Sequence, residues 1–304
     1  MTPTPWLDTR LKVAEHAAAA LADEYFGADV WLVGALAEGL AHQQSDVDLL
    51  LITQEPVPGP GSRLIHGIRV DVRAVREATV HDWHTLLDAF TVTRDDIETF
   101  RTVRARLSDL TLLRTARPLP PAPDHAEILA PEQQATYQRW ALADRCEAAA
   151  SLAEDLLGLA QAGLYPHADL VWDQLARVVA QAETVAAGAP LLGEKWLPSL
   201  LSQDGADRFR PVPALPEPRW PSAAVHSPFF ASVQARLADA LLALWPTDID
   251  TDPGTVDEAG LGGFGWLPQR YGDGWFLRRG DARVQLTDGR MRAWQQSAAR
   301  RACT

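Results

Sequence analysis

WLVGALAEGLAHQQSDVDLLLIT, Trp31 to Thr53, is the stretch on which the fold turns, because it sets a small-residue turn and a pair of carboxylates within two dozen residues. Asp46 and Asp48 stand at i and i+2 in an otherwise apolar run, Val47 and Leu49 to Ile52. A run of that length and aliphatic content predicts a buried strand, and alternation puts the two acids on one face, about 6.5 to 7 Å apart at Cα. Two ionised carboxylates brought to about 4 Å repel by about 4 kcal/mol at an effective dielectric near 20. A divalent cation is the usual remedy for such a pair.

Upstream, Asp29 to Val33 predicts a second strand, Gly34-Ala35 a turn, and Leu36 to His42 a helix ending in polar Gln43-Gln44-Ser45. Strand, small-residue turn and helix in that order expose backbone N–H groups at the helix start, where an anionic group is favoured. Residues 7 to 26 carry apolar positions spaced by three and four, the pattern of a helix that covers a sheet. Downstream, EPVPGPGS at 55 to 62 predicts a Pro/Gly turn, and Arg69 to Val75 an alternating strand with Asp71 as its single acid.

An apolar-Gly-Ala turn followed ten residues later by Asp46-Val47-Asp48-Leu49 resembles the signature of the DNA polymerase β nucleotidyltransferase superfamily, in which a Gly-Ser or Gly-Gly turn precedes an Asp-x-Asp strand. Ser45, immediately before Asp46, also suits that motif. The resemblance covers Trp31 to Val75. It implies a mixed-sheet α+β catalytic domain that uses Mg²⁺ and a nucleoside triphosphate, with ATP as first choice. It further implies Asp46, Asp48 and Asp71 as metal-holding and catalytic residues, with Gly34, Ala35 and Ser45 beside the phosphates. The chain departs from the pattern at Ala35, where the family usually has Ser or Gly. Alanine keeps the backbone N–H but supplies no hydroxyl donor.

Beyond the nucleotide motif, Thr79 with Asp82 has the spacing of a capping box for a helix from His81 to Phe90. His81 and His84 share a face of it without a third ligand at metal-binding spacing. The segment 96 to 116 predicts a further helix and final element, whose Arg101, Arg104, Arg106 and Arg114 read as a salt-bridged face. Proline-rich ARPLPPAPD, 116 to 124, marks a stiff boundary. Two helices follow, Tyr137 to Leu159 and Pro166 to Ala187. Asp144, Glu147, Glu154 and Asp155 of the first are expected at its surface, either solvated or offered to a cationic acceptor.

Lysine is scarce: Lys12 and Lys195 are the only two among 28 basic residues. Lys195 stands in Gly-Glu-Lys-Trp-Leu-Pro, similar to a Lys-Trp-Leu stretch that follows the helix pair in superfamily members with a helical second domain. The resemblance implies a charge placed against a triphosphate; the residue alone equally suits a solvated surface lysine. Pro211 to Pro221 is a second proline-rich connector, followed by a helix from Pro228 to Trp245. From about Gly262 the pattern changes to a β-meander with turns at Asp273-Gly274 and Gly280-Asp281, ending in a basic helix, Met291 to Arg301. The expected domains are a catalytic one at 1–118, a helical-bundle one at 124–247 and a small β-rich tail at 250–304.

A chain of 304 residues with 47% apolar content is long enough for about two cored domains. Its net charge of −12 opposes broad binding to a nucleic-acid backbone, which is neutralised by Lys and Arg. Two cysteines provide no disulfide framework, and no leader-like or long apolar run is present, so a cytoplasmic, membrane-free protein is expected. Resemblance to aminoglycoside and lincosamide nucleotidyltransferases implies transfer of a nucleoside monophosphate to a small hydroxylated acceptor, and the acidic balance suits a cationic one. A toxin-like enzyme acting on tRNA or protein, and a non-catalytic nucleotide-binding regulator, remain alternatives. The sequence does not determine the oligomeric state.

Overall fold

The computed structural model describes residues 5–58, 61–120, 128–201, 228–247 and 258–303. The proline-rich connector Pro211 to Pro221, and the end of the boundary at 116 to 124, lie outside the described residues. Packing divides the chain into two compact units, Met1–Ala89 with Ala105–Tyr137, and Phe90–Arg104 with Gln138–Thr304.

The first unit is built on a five-stranded mixed sheet, and the sequence explains both of its faces. Its strands are β1 (Asp29–Val33), β2 (Val47–Thr53), β3 (Gly61–Ile65), β4 (Ile68–Arg76) and β5 (Arg117–Pro118), in the spatial order β3-β4-β2-β1-β5. Only β2 and β4 run parallel; the other neighbours are antiparallel. Helix α1 (Pro5–Glu24) packs Val13, Ala14, Ala17, Ala18 and Leu21 on one face of the sheet, against Val30, Leu32, Val47, Leu49, Leu51, Val70 and Val72. Burying each of the larger aliphatic side chains contributes about 1.5–3 kcal/mol, so this face fixes the register. Alternation then turns Asp48, Arg69, Asp71 and Ser62 to the other face.

Two helices of this unit differ from their sequence expectations. The helix expected over Leu36 to His42 is a single turn, α2 (Gly34–Ala37). Gly39, at φ +71°, ends it: the Gly39 N–H bonds the Leu36 carbonyl at 3.2 Å and the Leu40 N–H bonds the Ala35 carbonyl at 2.9 Å. That is a Schellman closure, in which a left-handed glycine halts the helix whatever apolar spacing follows. Helix α3 (Glu77–Leu86) starts straight from the end of β4, so Thr79 and Asp82 lie inside it and form no capping box. Strand β3 was not expected. It is a short, half-exposed edge strand joined to β4 by a two-residue turn, His66-Gly67, with φ of 51° and 77°.

The chain continues through α4 (Ile97–Thr115), α5 (Pro131–Gln161), α6 (Tyr165–Ala186), a 3₁₀ turn at Glu194–Trp196, α7 (Leu197–Leu201), α8 (Pro228–Leu244), α9 (Glu258–Leu261), a meander of β6 (Leu267–Tyr271), β7 (Gly274–Arg279) and β8 (Ala282–Leu286), and α10 (Asp288–Ala302). In the second unit α8 packs on both α6 and α10. A two-bond pair from the Arg236 guanidinium to the Glu183 carboxylate, at 2.7 and 2.6 Å, ties α8 to α6. Residues 90–104 join this unit for visible reasons. Phe90 lies 4.7 Å from the Trp140 ring, and the Gly272 N–H donates to the Val92 carbonyl at 2.6 Å. A Cβ at 272 would stand 3.0 Å from that carbonyl, so only glycine lets the meander approach so closely.

The acids of α5 correct an expectation. Asp144 is buried, paired with Arg104 at 3.0 Å and with Arg145, whose other arm donates to Gln181 at 2.8 Å. Glu147 accepts from Tyr271 and Arg278, and Arg278 also reaches Glu154 at 3.1 Å. Sequence spacing shows which helix face an acid occupies and not what covers that face. Here the meander supplies Tyr271 and Arg278 to Glu147, and α4 supplies Arg104 to Asp144, so these two acids serve packing, while Glu154 and Asp155 are exposed as expected. Among the described residues, no helix is long and apolar enough to cross a membrane.

Candidate active site

The site starts from the β2–β4 register. In this parallel pair Asp48 lies opposite Asp71, and Val33, the last residue of β1, lies opposite Asp48. Neighbouring strands stand about 4.8 Å apart, so two carboxylates share one sheet face side by side. Asp46, exposed, precedes β2 and falls two residues before Asp48 on the same alternation. Three acids thus gather where β1 ends and β2 begins.

Because Val33 is opposite Asp48, the next residue of the chain passes over the Asp48 side chain. That residue is Gly34, at φ +72°, and a Cβ built there would be 3.2 Å from Asp48 Oδ2. Both the backbone conformation and the close approach demand glycine. The Gly34 N–H donates to Thr115 Oγ1 at 2.9 Å, while the Thr115 hydroxyl donates back to the Thr111 carbonyl at 3.0 Å. Thr115 therefore splints the turn from α4. Ala35 follows as the second residue of α2, half-buried, in the first turn where N–H groups have no intrahelical partner.

Asp71 is held by two side chains. Its Oδ1 accepts from the Ser62 hydroxyl, its register partner on β3, and from Arg69 Nε at 2.8 Å. The Ser62 bond first, and the Arg69 guanidinium after it, hold the Asp71 carboxyl below the ordinary carboxylate range. Arg69 is in turn raised by Asp71 and, through space, by Asp46 and Asp48, so one guanidinium lies in the field of all three acids. Neither Ser62 nor Arg69 stood out in the sequence. An Arg two residues before the strand aspartate was the available signal for Arg69; Ser62 had none without the hairpin.

Ser45 has a local role. The His42 N–H donates to Ser45 Oγ at 2.9 Å and the Ser45 N–H donates to the His42 carbonyl at 2.9 Å, closing the loop before Asp46. Lys195 lies in the second unit, on the 3₁₀ turn, with its ammonium 5.1 Å from the ring centroid of the buried Trp196. The neighbouring Glu194 pairs with Arg177 at 3.4 Å.

Among the described residues, no three His, Cys, Asp or Glu side chains already converge on a single cation position. The donor set nonetheless fits a hard cation carried in with phosphate. Mg²⁺ takes one or two carboxylates and completes its shell with phosphate oxygens and water, and Asp48 has Asp46 just ahead of its own strand and Asp71 on the next.

Residues 15–111 match the family model of the nucleotidyltransferase domain. That segment is a nucleotidyltransferase domain of the DNA polymerase β-like superfamily. The matched segment holds Gly34, Ala35, Ser45, Asp46, Asp48 and Asp71, and it ends four residues before Thr115. No curated protein matches the chain. The nucleotidyltransferase domain and the first structural unit overlap through α1 to β4, and the domain match includes α3 and most of α4.

Proposed function

We propose that this nucleotidyltransferase transfers a nucleoside monophosphate from a nucleoside triphosphate, ATP first among them, to a hydroxyl of a small acceptor, releasing pyrophosphate. The observation that carries the proposal is the Asp48–Asp71 register pair with Gly34 against Asp48 and with Asp46, just ahead of β2, in the field of the same Arg69 guanidinium. Asp46, Asp48 and Asp71 are the residues that would hold Mg²⁺, which when bound supplies charge neutralisation to the triphosphate. Asp71 is the base of choice for the acceptor hydroxyl: its Oδ1 is occupied by Ser62 and Arg69, leaving Oδ2 to take the proton. The acceptor oxygen then forms its bond to the α-phosphorus as the bond to the pyrophosphate oxygen breaks. The α2 turn, with the Ala35 N–H, faces the leaving phosphates, and Arg69 offers them a guanidinium.

The net charge of −12 still favours an uncharged or cationic acceptor over a nucleic acid. The α5 acids no longer add to that preference, since Asp144, Glu147 and Glu154 are spent on arginines. A second reading, a nucleotide-binding regulator without transferase activity, is favoured by the poverty of donors at the turn. Ala35 has no hydroxyl, and the Gly34 N–H is already given to Thr115.

Incubation with α-labelled triphosphate, Mg²⁺ and a panel of hydroxylated acceptors tests the enzyme. Label transfer and pyrophosphate release are expected for the wild type and should vanish in Asp46→Asn and Asp48→Asn. Folded variants that still transfer label would overturn the assignment. Calorimetric nucleotide binding independent of Mg²⁺, with no pyrophosphate released, would establish the regulator instead.

A further inference from the structure

Arg10 lies on α1, five residues ahead of the segment matched by the family model, and its guanidinium is turned into the protein. Only 9% of the residue is exposed. Its Nε donates to the Ser45 carbonyl at 2.8 Å and its Nη2 donates to the Gln43 carbonyl, while the guanidinium carbon lies 5.9 Å from the centroid of the Trp6 ring. Among the described residues, no carboxylate forms an ion pair with it. A buried cation is costly unless it is well hydrogen-bonded, so a buried arginine spent on two loop carbonyls points to a loop whose shape matters.

What the loop shapes is Asp46. The β1–β2 ladder ends at Val33–Asp48 and the β2–β4 ladder begins at Val47–Val70, so Asp46 stands outside both. Its backbone is therefore set by the residues before it and not by the sheet. The Ser45 carbonyl belongs to the same rigid peptide plane as the Asp46 N–H. Holding that carbonyl fixes the plane from which the Asp46 Cα, and hence its carboxylate, departs. The bonds between His42 and Ser45, with Gln44 N–H on His42 Nδ1 at 3.1 Å, make the loop a closed turn, and Arg10 anchors that turn to α1.

We propose that Arg10 is a positioning residue of the nucleotidyltransferase site: by clamping the Gln43 and Ser45 carbonyls it aims the Asp46 carboxylate at the cation that Asp46 and Asp48 share. The inference rests on the metal reading proposed above. Partners that orient a ligating side chain typically change metal affinity or activity 10–100-fold when removed. Arg10→Met, which keeps the aliphatic stem and removes the donors, is expected to weaken Mn²⁺ binding by about tenfold or more on that scale. It should lower kcat and leave KM for the acceptor near its original value. Arg10→Lys, able to reach one carbonyl at a time, should fall between the two.

Titration with Mn²⁺ alone, followed by loss of the free-ion paramagnetic resonance signal, gives the readout without turnover. Val13→Ala, which opens a buried cavity on the same helix and leaves both bonds of the Arg10 guanidinium in place, serves as the control for stability. The proposal holds if the Arg10 variants lose Mn²⁺ affinity in the order Met beyond Lys while Val13→Ala retains it. It is overturned if Arg10→Met, or Arg10→Lys should the former not fold, binds Mn²⁺ as the wild type does, or if Val13→Ala loses as much. A wild type whose Mn²⁺ binding is absent, or is unchanged in Asp46→Asn and Asp48→Asn, instead overturns the metal reading itself, and the role of Arg10 with it.

Discussion

Gly34 and Asp48 are so close that a methyl group on the first would sit 3.2 Å from a carboxylate oxygen of the second. Two separate penalties meet at this position. An L side chain at φ +72° costs about 1–2 kcal/mol in backbone strain, and the new Cβ pushes Asp48 away from its neighbours. Gly34→Ala is therefore expected to lower unfolding stability by about 1–2 kcal/mol in urea titration, and to weaken Mn²⁺ binding by more than that loss of stability explains. Ala35→Ser, one residue on, should leave stability within about 0.5 kcal/mol and tighten triphosphate binding by supplying the missing hydroxyl. An unchanged nucleotide affinity in Ala35→Ser would show that position 35 does not face the phosphates.

Thr115 is 1% exposed and its hydroxyl is the acceptor for the Gly34 N–H. Thr115→Val keeps the shape and deletes the oxygen, leaving a buried N–H without its partner at a cost of about 1–3 kcal/mol. Thr115→Ser keeps the oxygen and should stay close to the wild type. Paired chemical denaturation curves separate the two outcomes, and equal stability of both variants would refute the splint.

Gln234 makes a comparable test in the second unit. Fully buried on α8, it donates to the carbonyls of Gly263 and Trp266 at 3.1 and 2.9 Å and accepts from Arg301 at 3.2 Å. One side chain thus joins the helices, the lead into the meander and the last helix. Gln234→Leu strands both carbonyls and should cost about 2–4 kcal/mol, at 1–2 per group, with the meander and helices still unfolding in a single transition. A separate early transition for the C-terminal segment would show that the meander is an independent body.

Where the sequence was legible, a period or a punctuation mark carried the signal. β1 occupies Asp29–Val33 as the apolar run predicts, and the meander turns at the expected Gly280-Asp281, while its first turn falls one residue before the expected Asp273-Gly274, at Gly272-Asp273. The period of two predicts Asp46 and Asp48 on one strand face, but β2 begins at Val47, so Asp48 lies in the strand and Asp46 just ahead of it, and the β2–β4 register is what sets Asp48 beside Asp71. What could not be read depended on partners far away in the chain. β3 shows neither alternation nor continuous apolarity because it is an edge strand, and without it Ser62 had no reason to be joined to Asp71. Thr115 is 81 residues from the glycine it supports, and Arg10 is 35 from Ser45. Asp144 and Glu147 look solvated on a helical wheel, since helical spacing carries no information about Arg104 of α4, which meets the first, or about a meander over 120 residues later, which meets the second.

The Ser62–Asp71 bond, finally, leads to a prediction about the acid side of the pH profile. Ser62, and after it Arg69, hold the Asp71 carboxyl below the ordinary value of about 3.9. A depressed carboxyl binds its proton less tightly in the folded protein than in the unfolded chain. The stabilisation it brings is complete above the ordinary value and is lost as pH falls through the lowered one. The acid limb of kcat/KM arising from Asp71 should therefore lie below the ordinary carboxylate range. Ser62→Ala removes the larger of the two causes and should move that limb upward. A carbon-detected titration of the Asp71 carboxyl in both proteins reads the same change without turnover. If Asp71 titrates identically with and without the Ser62 hydroxyl, the bond exerts no control over the base, and Arg69 alone would account for its depressed value.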